Sequence, residues 1–124
     1  MAEPLRLCRS EALAERGRAL LFDVLYRGQP ARAFVLRYEG RPVAYLNRCA
    51  HVAAEMDWNP GDFLDQTRSF IVCALHGAHY EPADGRCLGG PCNGARLVAL
   101  EVTERDGEVS WYPSEHIRPA LVQG

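Results

Sequence analysis

Two short stretches constrain this chain more than anything else in it, Cys49-Ala50-His51 and Cys73-Ala74-Leu75-His76-Gly77. Each supplies one sulfur and one imidazole donor. Residues 52–72 lie between them, enough chain for two separate loops to converge on one point. Two soft thiolates and two imidazoles in matched pairs describe a metal site. The donors leave two occupants open, a [2Fe–2S] cluster of mixed Cys/His ligation or a zinc ion. A classical zinc finger sets its two cysteines close together and its two histidines on a helix. Here each pair mixes the donors and follows a strand-like run, so the cluster is the expected occupant.

The surrounding pattern is β. Residues 5–8 alternate like a first strand, and Ser10 offers an N-cap to a short helical run, Glu11 to Glu15, stopped by Gly17. Strand-like segments follow at 19–26, 33–38 and 43–46, with turns at Arg27-Gly28-Gln29-Pro30 and Glu39-Gly40-Arg41-Pro42. The third of these segments ends directly before Cys49. Residues 48–68 read as irregular, and 68–73 as a strand that delivers the second donor pair. After His79-Tyr80-Glu81 and the turn at 82–85 comes a glycine-rich loop, Cys87 to Gly94. A last hairpin, 97–103 and 108–112, places Val98, Leu100 and Val102 on one face. Short strands with frequent turns predict an antiparallel all-β domain.

With 124 residues the chain has room for a single domain, expected to span 1–124. A net charge of −2 with no basic stripe argues against a nucleic-acid partner. The 14 basic residues are all arginine, which carries no functional meaning by itself. There is no signal-like N-terminus and no apolar run of about 20 residues, so a soluble, cytoplasmic protein without a membrane partner is expected. Five cysteines in a reducing compartment are read as thiols or metal ligands rather than as a disulfide framework.

The Cys-x-His and Cys-x-x-His-Gly motifs, with Gly90-Pro91 further on, resemble those of Rieske [2Fe–2S] proteins of the soluble ferredoxin type. The likeness is detailed from about Tyr45 to Asn93 and looser elsewhere. It implies an antiparallel β-sandwich with a small cluster-binding subdomain and one [2Fe–2S] cluster per chain. Cys49 and Cys73 would hold one iron and His51 and His76 the other, while Gly90-Pro91 would form the covering loop. Replacing two cysteines by two histidines moves such a cluster from about −400 mV to between about −150 and +300 mV. Membrane-anchored respiratory members add a disulfide-forming cysteine in each cluster loop and a serine after His-Gly. Both cysteines are missing here, and Ala78 stands at the serine position. Tyr80 sits where those proteins have a tyrosine that hydrogen-bonds a ligand sulfur. The resemblance thus implies a potential at the low end of the class, raised slightly by Tyr80.

The implied function is one-electron transfer, as a ferredoxin or small electron-transfer subunit serving an oxygenase or reductase, with no substrate chemistry of its own. The alternative is a regulatory or structural metal-binding subunit holding a cluster or zinc. His79 and His116 read as surface residues, Cys8 as a packed core thiol, and Cys87 and Cys92 as idle or buried thiols. Met56 and Trp58 would shield the cluster or fill space beneath a long loop.

Overall fold

The computed structural model describes residues 4–48, 55–57, 61–73, 77–90 and 95–120. The strands are β1 (Leu5–Arg9), β2 (Leu20–Tyr26), β3 (Gln29–Tyr38), β4 (Arg41–Leu46), β5 (Ile71–Val72), β6 (His79–Tyr80), β7 (Cys87–Gly89), β8 (Ala99–Arg105), β9 (Glu108–Tyr112) and β10 (Ile117–Pro119). Seven form one antiparallel sheet in the order β1-β9-β8-β4-β3-β2-β10, and β5-β6-β7 form a second, small one. The all-β antiparallel class expected from the sequence is the one observed.

The centre of the large sheet explains how the two parts fit together. Successive side chains of a strand point to opposite faces, and β3 and β4 are continuously apolar over 33–36 and 42–46. Ala33, Val35, Ala44 and Leu46 therefore enter one buried cluster with Leu13, Val24, Leu100, Val109, Trp111 and Ile117. Those partners come from both ends of the strand order, so the sheet curls over this cluster. Phe34, Leu36, Tyr38, Val43 and Tyr45 point the other way, into a cluster with Met56, Phe63, Leu64, Ile71, Cys73, Ala78, Tyr80 and Leu97. The second face is where the small sheet packs. Strands apolar on both sides are what a middle layer requires.

Three hairpins of the large sheet turn through two residues, Arg27-Gly28, Glu39-Gly40 and Asp106-Gly107, all with positive φ. This mirror-image turn matches the twist of its strands. At Glu39-Gly40 both amide N–H groups donate to the Glu15 carboxylate, at 2.7 and 2.8 Å.

Several sequence expectations need correction. The short helix is a single 3-10 turn, Ser10–Ala12, with Arg9 rather than Ser10 at the N-cap position and no side-chain cap. It cannot propagate because Leu13 is extended and its carbonyl accepts from Arg37 Nε at 2.9 Å. The strand read at 68–73 contracts to Ile71–Val72, since Asp65 accepts the N–H groups of Ser69 and Phe70 and holds the preceding residues in a turn. Cys87–Gly89, read as loop, pairs with β6, and β10 was not foreseen. Val98 precedes β8 and is exposed, while Leu100 is buried and Val102 half-buried.

Candidate metal centre

Of the four predicted ligands the described residues include Cys73; Cys49, His51 and His76 lie outside them, as does Pro91. Cys73 follows β5 directly and is fully buried. Its N–H donates to the Ala78 carbonyl at 2.9 Å, and its own carbonyl accepts from Gly77 N–H at 2.8 Å. These bonds tie the end of β5 to the residues that lead into β6. Gly77 stands among them with φ of +73°.

Gly90 lies against these residues. A Cβ placed on it would stand 2.9 Å from Ala78 Cα and 3.0 Å from the Gly77 carbonyl oxygen, and its φ is +88°. Only glycine satisfies both the contact and the backbone conformation. Gly90 is therefore pressed onto Gly77 and Ala78, the residues that follow the second donor motif in the chain. Tyr80 is fully buried in the same cluster as Cys73.

The ends of the first donor loop are fixed by a polar clasp that the sequence reading missed. Asn47, only 4% exposed, accepts Met56 N–H at 2.9 Å and donates to Asp57 Oδ1 at 2.8 Å. Asp57 Oδ2 in turn accepts Gly61 N–H at 3.0 Å. Arg32 grips Glu55 with two bonds of 2.9 and 2.8 Å, and the bond to Glu55 holds its guanidinium firmly protonated. The residues flanking 49–54 are thereby held together on both sides. An asparagine two residues before Cys49 was the available signal; the Arg32–Glu55 pair left none.

Met56 is completely buried, and Trp58 lies outside the described residues. Tyr45 donates its hydroxyl to the Pro82 carbonyl at 2.6 Å, and burial pushes its phenol well above the ordinary range. His79, expected at the surface, is half-buried: its Nδ1 lies 2.7 Å from the Gly77 carbonyl and its ring meets Phe70 edge-on. Cys87 is also corrected, because it is disulfide-bonded rather than an idle thiol. Cys92 lies outside the described residues. Cys8 is half-buried against the enclosed cluster, and burial pushes its thiol up, so it stays protonated.

A family model, the Rieske [2Fe-2S] domain, matches residues 3–113. The chain belongs to the Rieske family. Its solved structural likenesses include the ferredoxin of carbazole 1,9a-dioxygenase from Nocardioides aromaticivorans IC177, at TM-score 0.71 and 24% identity, over 91% of this chain and 100% of that one. The terminal oxygenase of the same system matches at TM-score 0.72 and 19% identity, over 97% of this chain and 32% of that one. A carbazole-bound complex of oxygenase and ferredoxin matches at TM-score 0.71 and 21% identity, but this Rieske chain spans only 28% of the chain it matches there. At such identities the likeness speaks for the fold. No curated protein matches the sequence. The family cofactor is a [2Fe–2S] cluster. The donor chemistry fits it, with a buried cysteine following β5 and Gly90 seated against Gly77 and Ala78.

Proposed function

We propose that this Rieske domain is a one-electron carrier, with Cys49 and Cys73 holding one iron of the cluster and His51 and His76 the other. When bound, the cluster accepts or releases a single electron at a potential raised by its imidazole ligands. The observation that carries the reading is Cys73, a fully buried cysteine at the end of β5 within a Rieske-family chain. The chain's residues supply the rest. Gly77 and Gly90 bring the second donor loop and the covering loop together, with Pro91 continuing the cover. Asn47 and Arg32 hold the ends of the first loop. Tyr80 shares a buried cluster with Cys73 and would tune the potential through a ligand sulfur.

Residues 1–124 act as one domain in this reading. The fold shared with a dioxygenase ferredoxin supports an oxygenase, or the reductase that feeds it, as partner. No helix of the described residues is long and apolar enough to cross a membrane, in keeping with a cytoplasmic carrier. Iron and acid-labile sulfide analysis of the purified chain, together with its visible absorption and electron paramagnetic resonance after reduction, tests the assignment. Two irons and two sulfides per chain with a Rieske-type signal are expected. A colourless chain with one zinc per molecule would overturn it.

A further inference from the structure

The β2–β3 hairpin carries a concentration of exposed arginines around one groove. A groove of about 510 Å³ lies along the β2–β3 hairpin and is lined by Tyr26, Arg27, Pro30, Arg48, Arg96 and Val98, among others, with no carboxylate in its wall. Arg27 and Arg48 both lie over the Tyr26 ring, their guanidinium carbons 5.3 and 5.5 Å from its centroid. Such contacts leave the N–H groups of the guanidinium free to donate elsewhere. All three arginines are exposed, and no described carboxylate pairs with Arg27, Arg48 or Arg96. Arg41, Arg86, Arg105 and Arg118 are likewise outside the described ion pairs, so what sets Arg27, Arg48 and Arg96 apart is that they share one groove with an aromatic and apolar floor.

The molecule carries a net charge of −2, so this patch is a local reversal of sign. Its floor is partly apolar, and Val98 is one of three exposed large hydrophobic side chains described. Unpaired arginines around an apolar, aromatic-lined floor are the usual anatomy of a protein-binding surface. Arg48 is also the residue immediately before Cys49, so a partner seated here touches the residue that leads into the first donor motif.

We propose that the Arg27–Arg48–Arg96 groove docks a carboxylate-rich face of the redox partner. This rests on the electron-carrier reading. Opposite charges would steer the encounter and orient the partner toward the loop bearing Cys49 and His51, while Tyr26 and Val98 supply the contact area that salt does not screen. Small inorganic anions recognise the same guanidinium groups without needing the apolar floor.

Calorimetric titration of the full chain with an oxidised plant-type ferredoxin, an acidic protein, at low and high ionic strength reads the groove whether or not a cluster is bound. Arg27→Glu and Arg96→Glu should each weaken low-salt binding by about tenfold and flatten its salt dependence. Arg105→Glu, in the remote β8–β9 hairpin, makes the same change in net charge and should alter binding less than twofold. Circular dichroism verifies that each variant is folded. Equal losses in Arg105→Glu, no loss in the groove variants, or no binding by the parent chain would overturn the proposal. So would inorganic pyrophosphate binding that depends on Arg27 and Arg96 while ferredoxin binding does not. In a stopped-flow arm, reduced plant-type ferredoxin gives up one electron and is oxidised while the chain's cluster is reduced, which is downhill for a Rieske centre. Its rate should fall with the same variants. A chain without visible cluster absorption sinks the electron-carrier reading, and the titration still decides the groove.

Discussion

The large curled sheet and the small sheet are held together by different physics. β3 runs ten residues and pairs along its length with β2 and β4, whereas β5, β6 and β7 have two, two and three residues. Ladders so short cannot sustain a sheet by themselves. The small sheet depends on its side chains instead: the Phe34–Phe63 stack at 3.7 Å, Ile71 and Tyr80 buried against β3 and β4, and the Tyr45 bond to Pro82. The difference separates a scaffold that folds through its own backbone from a site region that borrows the scaffold's apolar face. Regions with few backbone bonds open first, and functional loops are drawn from them. A bound cluster would add to the stability of that region alone, since metal binding is coupled to folding.

Phe63→Ala should break the arrangement most severely. Removing a ring that is 1% exposed and stacked on Phe34 is expected to cost about 3–5 kcal/mol. Amide exchange at Ile71, Val72 and Tyr80 should then accelerate far more than at Val24 and Val109. Uniform acceleration through both sheets would show that they unfold as one unit. Gly90→Ala comes next, at about 2–3 kcal/mol, because a Cβ there adds a backbone clash to the cost of a positive φ. Gly28→Ala sharpens the contrast. It has φ of +81° but nothing within 4 Å, so thermal unfolding should register only the conformational part, about 1 kcal/mol. Asn47→Ala would leave the Met56 N–H without its acceptor in a buried setting, a loss of about 1–2 kcal/mol by denaturant titration. Its effect should appear as faster exchange at Met56 and Gly61 rather than in β2 or β9.

The same division governs how much the sequence alone disclosed. In the large sheet, alternation over long strands and the Gly-containing turns mark the elements because burial and backbone geometry act locally there. Ala33-Phe34-Val35-Leu36 reads as strand whichever face is considered. In the site region the donors are legible as chemistry: Cys73 stands out by its spacing to His76, while Gly90 is pointed to only by the family resemblance of its Gly-Pro pair. What holds them in place was not legible. Asn47 reaches Met56 and Asp57, Arg32 reaches Glu55 across the fold, and β7 forms only because β6 offers it an edge. Contacts between residues distant in sequence leave no periodicity. A disulfide at Cys87 is conceivable from the sequence, but with no histidine or second cysteine pair beside Cys87 and Cys92 the idle thiol is the reading the sequence favours, and the bond itself leaves no local signal.

The smallest effect should come from the scaffold's own ion pair, which tests whether acid attacks the large sheet independently of the site. Arg37 donates two bonds to Glu104, at 3.0 and 2.6 Å, and further bonds to the carbonyls of Leu13, Ser10 and Gly40. It thereby ties β3 and β8 to the 3-10 turn and the Glu39-Gly40 hairpin. The Arg37 guanidinium holds the Glu104 carboxyl down at about 2, against an ordinary value of 4.5. A carboxylate with a depressed folded-state pKa contributes stability that is complete above its unfolded value and lost as pH falls through the folded one. The contribution should therefore be intact at pH 6 and disappear between 4.5 and about 2. Glu104→Gln removes the charge at every pH. The variant should be less stable than the parent by about 1 kcal/mol at pH 6, because the pair is partly exposed and screened, and the gap should close toward pH 2. Urea titrations of both chains across this range measure it. A gap that stays constant with pH would mean that Glu104 acts through packing and neutral hydrogen bonding, and that acid reaches the scaffold by another group.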